Sequence, residues 1–83
     1  MTRLRVLSFR GIRSRYIYYL LDHLKEGEDT VEMEHNQVQL AEYFGVTRPA
    51  LSKEIGKLVE SGFISLSRGK VKILNKQALI NLL

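Results

Sequence analysis

Residues 36–64 read NQVQLAEYFGVTRPALSKEIGKLVESGFI, and two consecutive helices can be predicted from this stretch. Asn36 with Gln39 three residues later fits a capping box, in which each side chain binds the backbone N–H of the other residue. Apolar residues continue to Phe44, and Gly45 follows, a residue type that commonly ends helices. The stretch therefore predicts a helix of about two turns that begins after Asn36 and ends before Gly45.

A second helix is predicted directly after the first. Thr47 is a good N-cap, and Pro49 costs little because first-turn N–H groups have no intrahelical partner. The helix is expected to bury a stripe of four apolar side chains, those of Leu51, Ile55, Leu58 and Val59. Gly62 stops the pattern near Ser61, so the predicted helix covers residues 48–61.

The residues before these two helices predict one more helix and a strand. Apolar side chains recur at helical spacing from about Phe9 to Lys25, and Gly27 is expected to close that helix. Residues 30–34 alternate between apolar and acidic side chains, which is typical of a short strand with one wet face.

The residues after them predict a β-hairpin and a last short helix. Residues 63–67 and 70–74 alternate in phase, with Arg68-Gly69 as a tight turn, and Asn75 can cap the final helix. The complete order predicts a mainly α fold with a small β-hairpin wing (α+β), which is a winged helix-turn-helix.

The composition fits one small folded domain. The chain has 83 residues, of which 45% are apolar, and this is enough for a single core. The absence of cysteine excludes disulfide scaffolds, thiolate metal sites and cysteine nucleophiles. Because no long apolar run or signal peptide is visible, we expect a cytoplasmic protein without a membrane partner.

The net charge of +4 is distributed in three blocks. Residues 1–15 carry five arginines and no acid, and residues 16–42 carry seven acids against one lysine. Residues 43–83 carry seven bases against two acids. Basic blocks favour a polyanionic partner, whereas any one block alone is also consistent with an unevenly charged, solvated surface.

The predicted helix 48–61 combines a buried side with a polar arc that is basic at its start. A projection at about 100° per residue collects on this arc Pro49, Ser52, Lys53, Gly56, Lys57 and Glu60, with Arg48 at its edge. The major groove accepts a helix N-terminus, and Arg or Lys can donate to guanine O6 and N7. The glycine indicates either close approach to DNA or packing by a neighbouring helix, and both explanations stay open.

Catalytic and metal chemistry are not indicated. His23 and His35 lack a third ligand at convincing spacing, the serines lack a nucleophile elbow, and the six glycines form no phosphate-binding loop. We therefore expect a non-enzyme that binds no metal or cofactor through this chain.

Residues 39–64 resemble the helix-turn-helix in the C-terminal DNA-binding domain of the Crp/Fnr family of bacterial transcription regulators. Residues 7–21, LSFRGIRSRYIYYLL, are similar to the family's first helix after its hinge, and residues 68–74, RGKVKIL, to its wing. The resemblance implies a winged-helix DNA-binding domain over residues 9–83 and a dimerisation-helix tail or hinge over residues 1–8. Because the family's N-terminal sensor domain is absent, we expect a fragment of a larger regulator.

The resemblance implies sequence-specific binding to double-stranded DNA, with recognition helix 48–61 in the major groove and wing 67–70 on phosphates. The residues expected to touch DNA are Asn36, Thr47, Arg48, Pro49, Ser52, Lys53, Lys57, Arg68 and Lys70. By position, Arg48 and Lys53 would read bases or adjoining phosphates, Ser52 would contact a base, and Asn36 would touch a phosphate. Pro49 stands where some members have a base-reading Glu, so their operator preference does not carry over.

A second function stays open, in which the acidic segment 26–34 contacts a basic partner and the domain is a protein-interaction module. The resemblance also permits a contact between this segment and RNA polymerase, although a solvated loop explains the acids as well. Family members bind two-fold half-sites as dimers. We therefore expect a homodimer of a full-length protein, and a monomer or weak dimer of this chain alone.

Overall fold

The computed structural model describes residues 11–83. The predicted segment 1–8 and the predicted helix start at Phe9 therefore lie outside the described residues. The elements in chain order are α1 (Ile12–His23), β1 (Thr30–Glu32), α2 (Gln37–Phe44), α3 (Arg48–Glu60), β2 (Ile64–Ser67), β3 (Lys70–Ile73) and α4 (Lys76–Asn81). This order confirms the predicted winged helix-turn-helix.

Helix α1 ends two residues before its predicted end. The helix stops at His23, and Leu24 is already extended, with φ −74° and ψ 125°. Leu24 continues the helical spacing of apolar residues in the sequence, but it packs against the core from this extended backbone. Gly27, which was expected to close the helix, lies in the following turn with φ +80°.

The caps of α2 and α3 form as predicted. The backbone N–H of Gln39 donates to Asn36 Oδ1, and that of Asn36 donates to Gln39 Oε1, both at 2.9 Å. Thr47 Oγ1 accepts from the Ala50 N–H at 3.3 Å. Between the helices, Gly45 has φ +72°, a conformation that is strained for residues with a side chain. Local hydrogen bonds thus set where both helices begin.

Strand β1 joins the hairpin to make a three-stranded antiparallel sheet with the order β1-β3-β2. Val71 on the central strand lies opposite both Val31 and Leu66, and Ile64 lies opposite Ile73. The apolar residues of the two hairpin strands are therefore paired as predicted, and Gly69 completes the turn with φ +66°. The sequence indicated β1 as a strand but did not show which strand it pairs with.

A single apolar core lies between the helices and the sheet. Its buried members are Tyr16, Ile17, Tyr19, Leu20, Val31, Leu40, Ala41, Leu51, Ile55, Leu58, Ile64, Val71, Ile73 and Leu79. Burial, with Tyr19 nearby, raises the pKa of Tyr16 far above its ordinary value, so this phenol is a neutral core residue.

The predicted burial of Val59 is wrong, since 38% of this residue is exposed. Val59 follows Leu58 by about 100° around the helix, which takes it to the edge of the buried stripe. Helix α3 is therefore anchored to the core by Leu51, Ile55 and Leu58 alone among the four predicted residues.

Candidate nucleic-acid interface

The first two turns of α3 present cations to solvent. Arg48, Pro49 and Lys53 are exposed, and so is the capping residue Thr47. Neither the Arg48 guanidinium nor the Lys53 ammonium forms a salt bridge with any residue of the described part of the chain. Because the opposite side of α3 is buried, the helix is held with this basic end directed outward.

Ser52 lies at the border of the polar arc rather than at its centre. The residue is half-buried, and its hydroxyl donates to Oε1 of Gln37, the first residue of α2. The sequence pattern did not single out Gln37 as a site residue. Its position directly after the N-cap Asn36 was the available signal, but only the packing of α2 on α3 identifies its partner.

Lys57 is exposed on the same helix but is already paired with an acid. Its Nζ lies 3.2 Å from Glu54 Oε2, at i,i+3 spacing along α3. The two side chains are 54% and 23% exposed, so water screens the pair and its contribution to stability is small. The positive charge at this position is therefore partly balanced, unlike that of Arg48 or Lys53.

Gly56 is exposed on the polar arc, and its surroundings decide between the two explanations given for it. A Cβ placed on Gly56 would meet no atom of any other described element within 4 Å. Packing by a neighbouring helix is therefore wrong for residues 11–83. Close approach of another molecule to the backbone stays a prediction.

Replacing Gly56 by alanine is expected to stabilise the free domain and to weaken its binding to duplex DNA. The substitution should raise the free energy of unfolding by about 0.5–1 kcal/mol, because Ala is the better helix former and meets no obstacle. Denaturant unfolding measures the first effect, and fluorescence anisotropy with labelled duplex measures the second. Gly56→Ser should weaken binding further than Gly56→Ala. Unchanged affinity in both variants would contradict close approach of DNA.

The wing and the start of α2 bring two of the three expected phosphate contacts to one groove. A cavity of about 260 Å³ separates these elements, and both Asn36 and Lys70 line it. Asn36 uses Oδ1 in the capping box, while its Nδ2 donates to no other residue in the range 11–83. Arg68 is exposed at the tip of the wing.

Lys70 also faces an acid across the sheet. Glu32 is its register partner on β1, and Lys70 Nζ lies 3.8 Å from Glu32 Oε1. With side chains 54% and 80% exposed, this is a weak, solvent-screened pair that the lysine can leave.

The described residues offer little for other chemistry. No group of three or more metal-binding side chains occurs among them. Within the same range, every helix is too short or too polar to cross a bilayer.

Comparison with known proteins gives a consistent result. The family model of the Crp-like helix-turn-helix domain matches residues 14–82. The probable transcriptional regulator flp of Lacticaseibacillus casei is 37% identical over 68 residues, which are 81% of this chain and 31% of that protein. The chain thus spans about a third of the length of this curated relative.

Solved structures of longer regulators contain the same fold. A transcriptional regulator of the CRP/FNR family from Thermus thermophilus is 26% identical, with a TM-score of 0.73 over 98% of this chain and 44% of that chain. The catabolite activator protein of the same organism is 28% identical, with a TM-score of 0.69 over 98% of this chain and 38% of that chain.

These relatives are regulators of transcription and not enzymes, and none of them supports the alternative of a protein-interaction module. Residues 14–82, which match the family, include every described element of the fold except the first two residues of α1. The chain belongs to the Crp-like helix-turn-helix family of DNA-binding domains found in transcription regulators.

Proposed function

We propose that this domain reads sequence in double-stranded DNA by placing the N-terminal end of α3 in the major groove. The supporting observation is that Arg48 and Lys53 are exposed and form no salt bridge within the described chain, at the leading end of a helix anchored by its other side. Both side chains can donate to O6 and N7 of guanine, and Arg can do so with two hydrogen bonds. Thr47 and Pro49 form the exposed first turn that enters the groove with them.

The same proposal gives the phosphate contacts to α2 and the wing. Asn36 has a free amide N–H₂ within the described chain, and Lys70 lines the same groove. Arg68 extends the wing at its tip, and Lys57 lies further along α3, where it would meet adjoining backbone. Contacts of this kind fix the orientation of a protein on DNA, whereas base contacts select the sequence.

Lys70→Ala is expected to weaken binding to all duplexes to the same extent. Loss of one phosphate contact should reduce the slope of log affinity against log salt concentration by about 0.9. The measurement is a salt titration by fluorescence anisotropy on two duplexes of unrelated sequence. Lys72→Ala is the matched control, since it removes the same charge from the same strand at an exposed position further from the wing tip. Equal losses from both variants would show that net charge, not the wing contact, sets affinity.

Two further parts of the proposal concern the regulator as a whole. The acidic segment 26–34 is proposed to contact RNA polymerase, which is supported by the exposure of Glu26, Glu28 and Asp29 in the loop after α1. A full-length form is proposed to bind as a homodimer to two half-sites about one helical turn or a multiple apart. The cytoplasm is its proposed location.

A further inference from the structure

A hydrogen bond joins the two helices that contact different parts of DNA in the proposed function. Ser52 Oγ donates to Gln37 Oε1, and both residues are half-buried between α2 and α3. Gln37 directly follows Asn36, the proposed phosphate contact. Ser52 lies one helical turn after Arg48, the proposed base contact. The bond therefore connects the phosphate-binding end of α2 with the base-reading end of α3.

We propose that this bond positions the two ends relative to each other, and that Ser52 is a positioning residue rather than a base reader. The inference rests on the proposed function and deepens it. It revises the expectation, drawn from the sequence, that Ser52 contacts a base.

The chemistry of the hydroxyl supports this assignment. A serine hydroxyl carries one proton, and Ser52 gives it to Gln37. While this bond is kept, the hydroxyl cannot donate to O6 or N7 of guanine, and only its lone pairs stay open to a base, as acceptors from an amino group. Serines inside helices often bond back to a carbonyl of their own helix, whereas Ser52 bonds to a second helix. Its hydrogen bond is thus a tertiary contact.

The location of the bond along α2 allows it to fix the angle between α2 and α3. Helices α2 and α3 are connected through residues 45–47, at the C-terminal end of α2. Gln37 lies at the other end of this eight-residue helix, roughly 10 Å from the connection. The two helices are therefore linked at two separate points, by residues 45–47 and by the bond from Ser52 to Gln37. Two links limit changes in the angle between the helices more than one link does. The buried side chains of Leu40 and Leu51 contribute apolar packing there, which is less directional.

The experiment compares Ser52→Ala, Gln37→Ala and the double variant in their binding to a selected duplex and to its single-base-pair variants. Anisotropy is measured at a temperature at which unfolding curves show every protein fully folded. Each single substitution is expected to lower affinity for all duplexes by about three- to tenfold, leaving base preference unchanged. The double variant should lose no more affinity than the single variant that binds less tightly. Ser52→Thr, which keeps the hydroxyl, should recover most of the affinity.

Several results would overturn the inference. Relaxed preference at one or two base pairs in Ser52→Ala, with preference retained in Gln37→Ala, would make Ser52 a base reader. Fully additive losses would mean that the two side chains act separately. A lower midpoint of unfolding with unchanged affinity would restrict the bond to a role in stability. Failure of the unaltered chain to bind duplex DNA would instead overturn the proposed function itself, and this inference with it.

Discussion

Replacing Arg48 and Lys53 together by alanine is expected to abolish the sequence preference of the domain while leaving it folded. A good side-chain contact to a base contributes about 1–3 kcal/mol of discrimination, so the loss of two should reduce specific affinity to the non-specific level. Folding should change little, because both side chains are exposed and form no salt bridge in the described chain. Each single variant should fall between the unaltered and the double variant.

The measurement begins with selection of bound sequences from random DNA by the unaltered protein, in dimeric full-length form if the gene encodes one. Affinities for the selected duplex and for an unrelated duplex then give the specificity ratio at a fixed salt concentration. Lys72→Ala combined with Lys76→Ala is the matched control, since it also removes two exposed positive charges but none from α3. If the double variant of Arg48 and Lys53 has the same specificity ratio as this control, the assignment of these two residues to the major groove is wrong.

Leu51→Ala is expected to lower the free energy of unfolding by about 2–5 kcal/mol. Leu51 is 0% exposed and belongs to the stripe that anchors α3 to the core. Truncation removes apolar contacts and leaves a cavity, because the surrounding helices relax only partly. A domain of this size has a total stability of roughly 4–12 kcal/mol, so the change removes a large share of it.

Denaturant unfolding of the two proteins, followed by circular dichroism, measures this difference. Val59→Ala on the same helix is the control, since both residues belong to the apolar stripe predicted from the sequence but Val59 is 38% exposed. Its substitution should cost much less than that of Leu51. Similar losses at the two positions would show that the described packing of α3 is incorrect.

The features predicted correctly from the sequence depend on residues close together in the chain. The capping box of Asn36 and Gln39 and the cap by Thr47 each involve atoms at most three residues apart. Gly45 and Gly69 adopt positive φ where the turns require it. This conformation costs little conformational energy only in a residue without a side chain. The basic start of α3 could be identified for the same reason, since a well-defined helix start and a regular period of about 3.6 residues determine which side chains share a face.

The two wrong predictions, the end of α1 and the burial of Val59, concern residues whose surroundings depend on distant parts of the chain. Leu24 continues a helical pattern, yet it packs against the core from an extended backbone. Val59 extends the apolar stripe of α3, but the core covers only part of that side. In both cases the extent of the core surface, which other elements of the fold supply, determines whether the residue is covered, and the periodicity does not.

Three features follow from the amino-acid sequence alone: the order of the elements, the starts of α2 and α3, and the charge on the outward side of α3. The folded chain is needed to show that β1 pairs with β3, that Lys70 faces Glu32, and that Ser52 donates to Gln37. Caps and turns are stabilised by neighbours in sequence, whose distances the covalent chain fixes in advance. Pairings over 15 or more residues, such as that of Ser52 with Gln37, depend on the packing of the whole core, which brings the partners together.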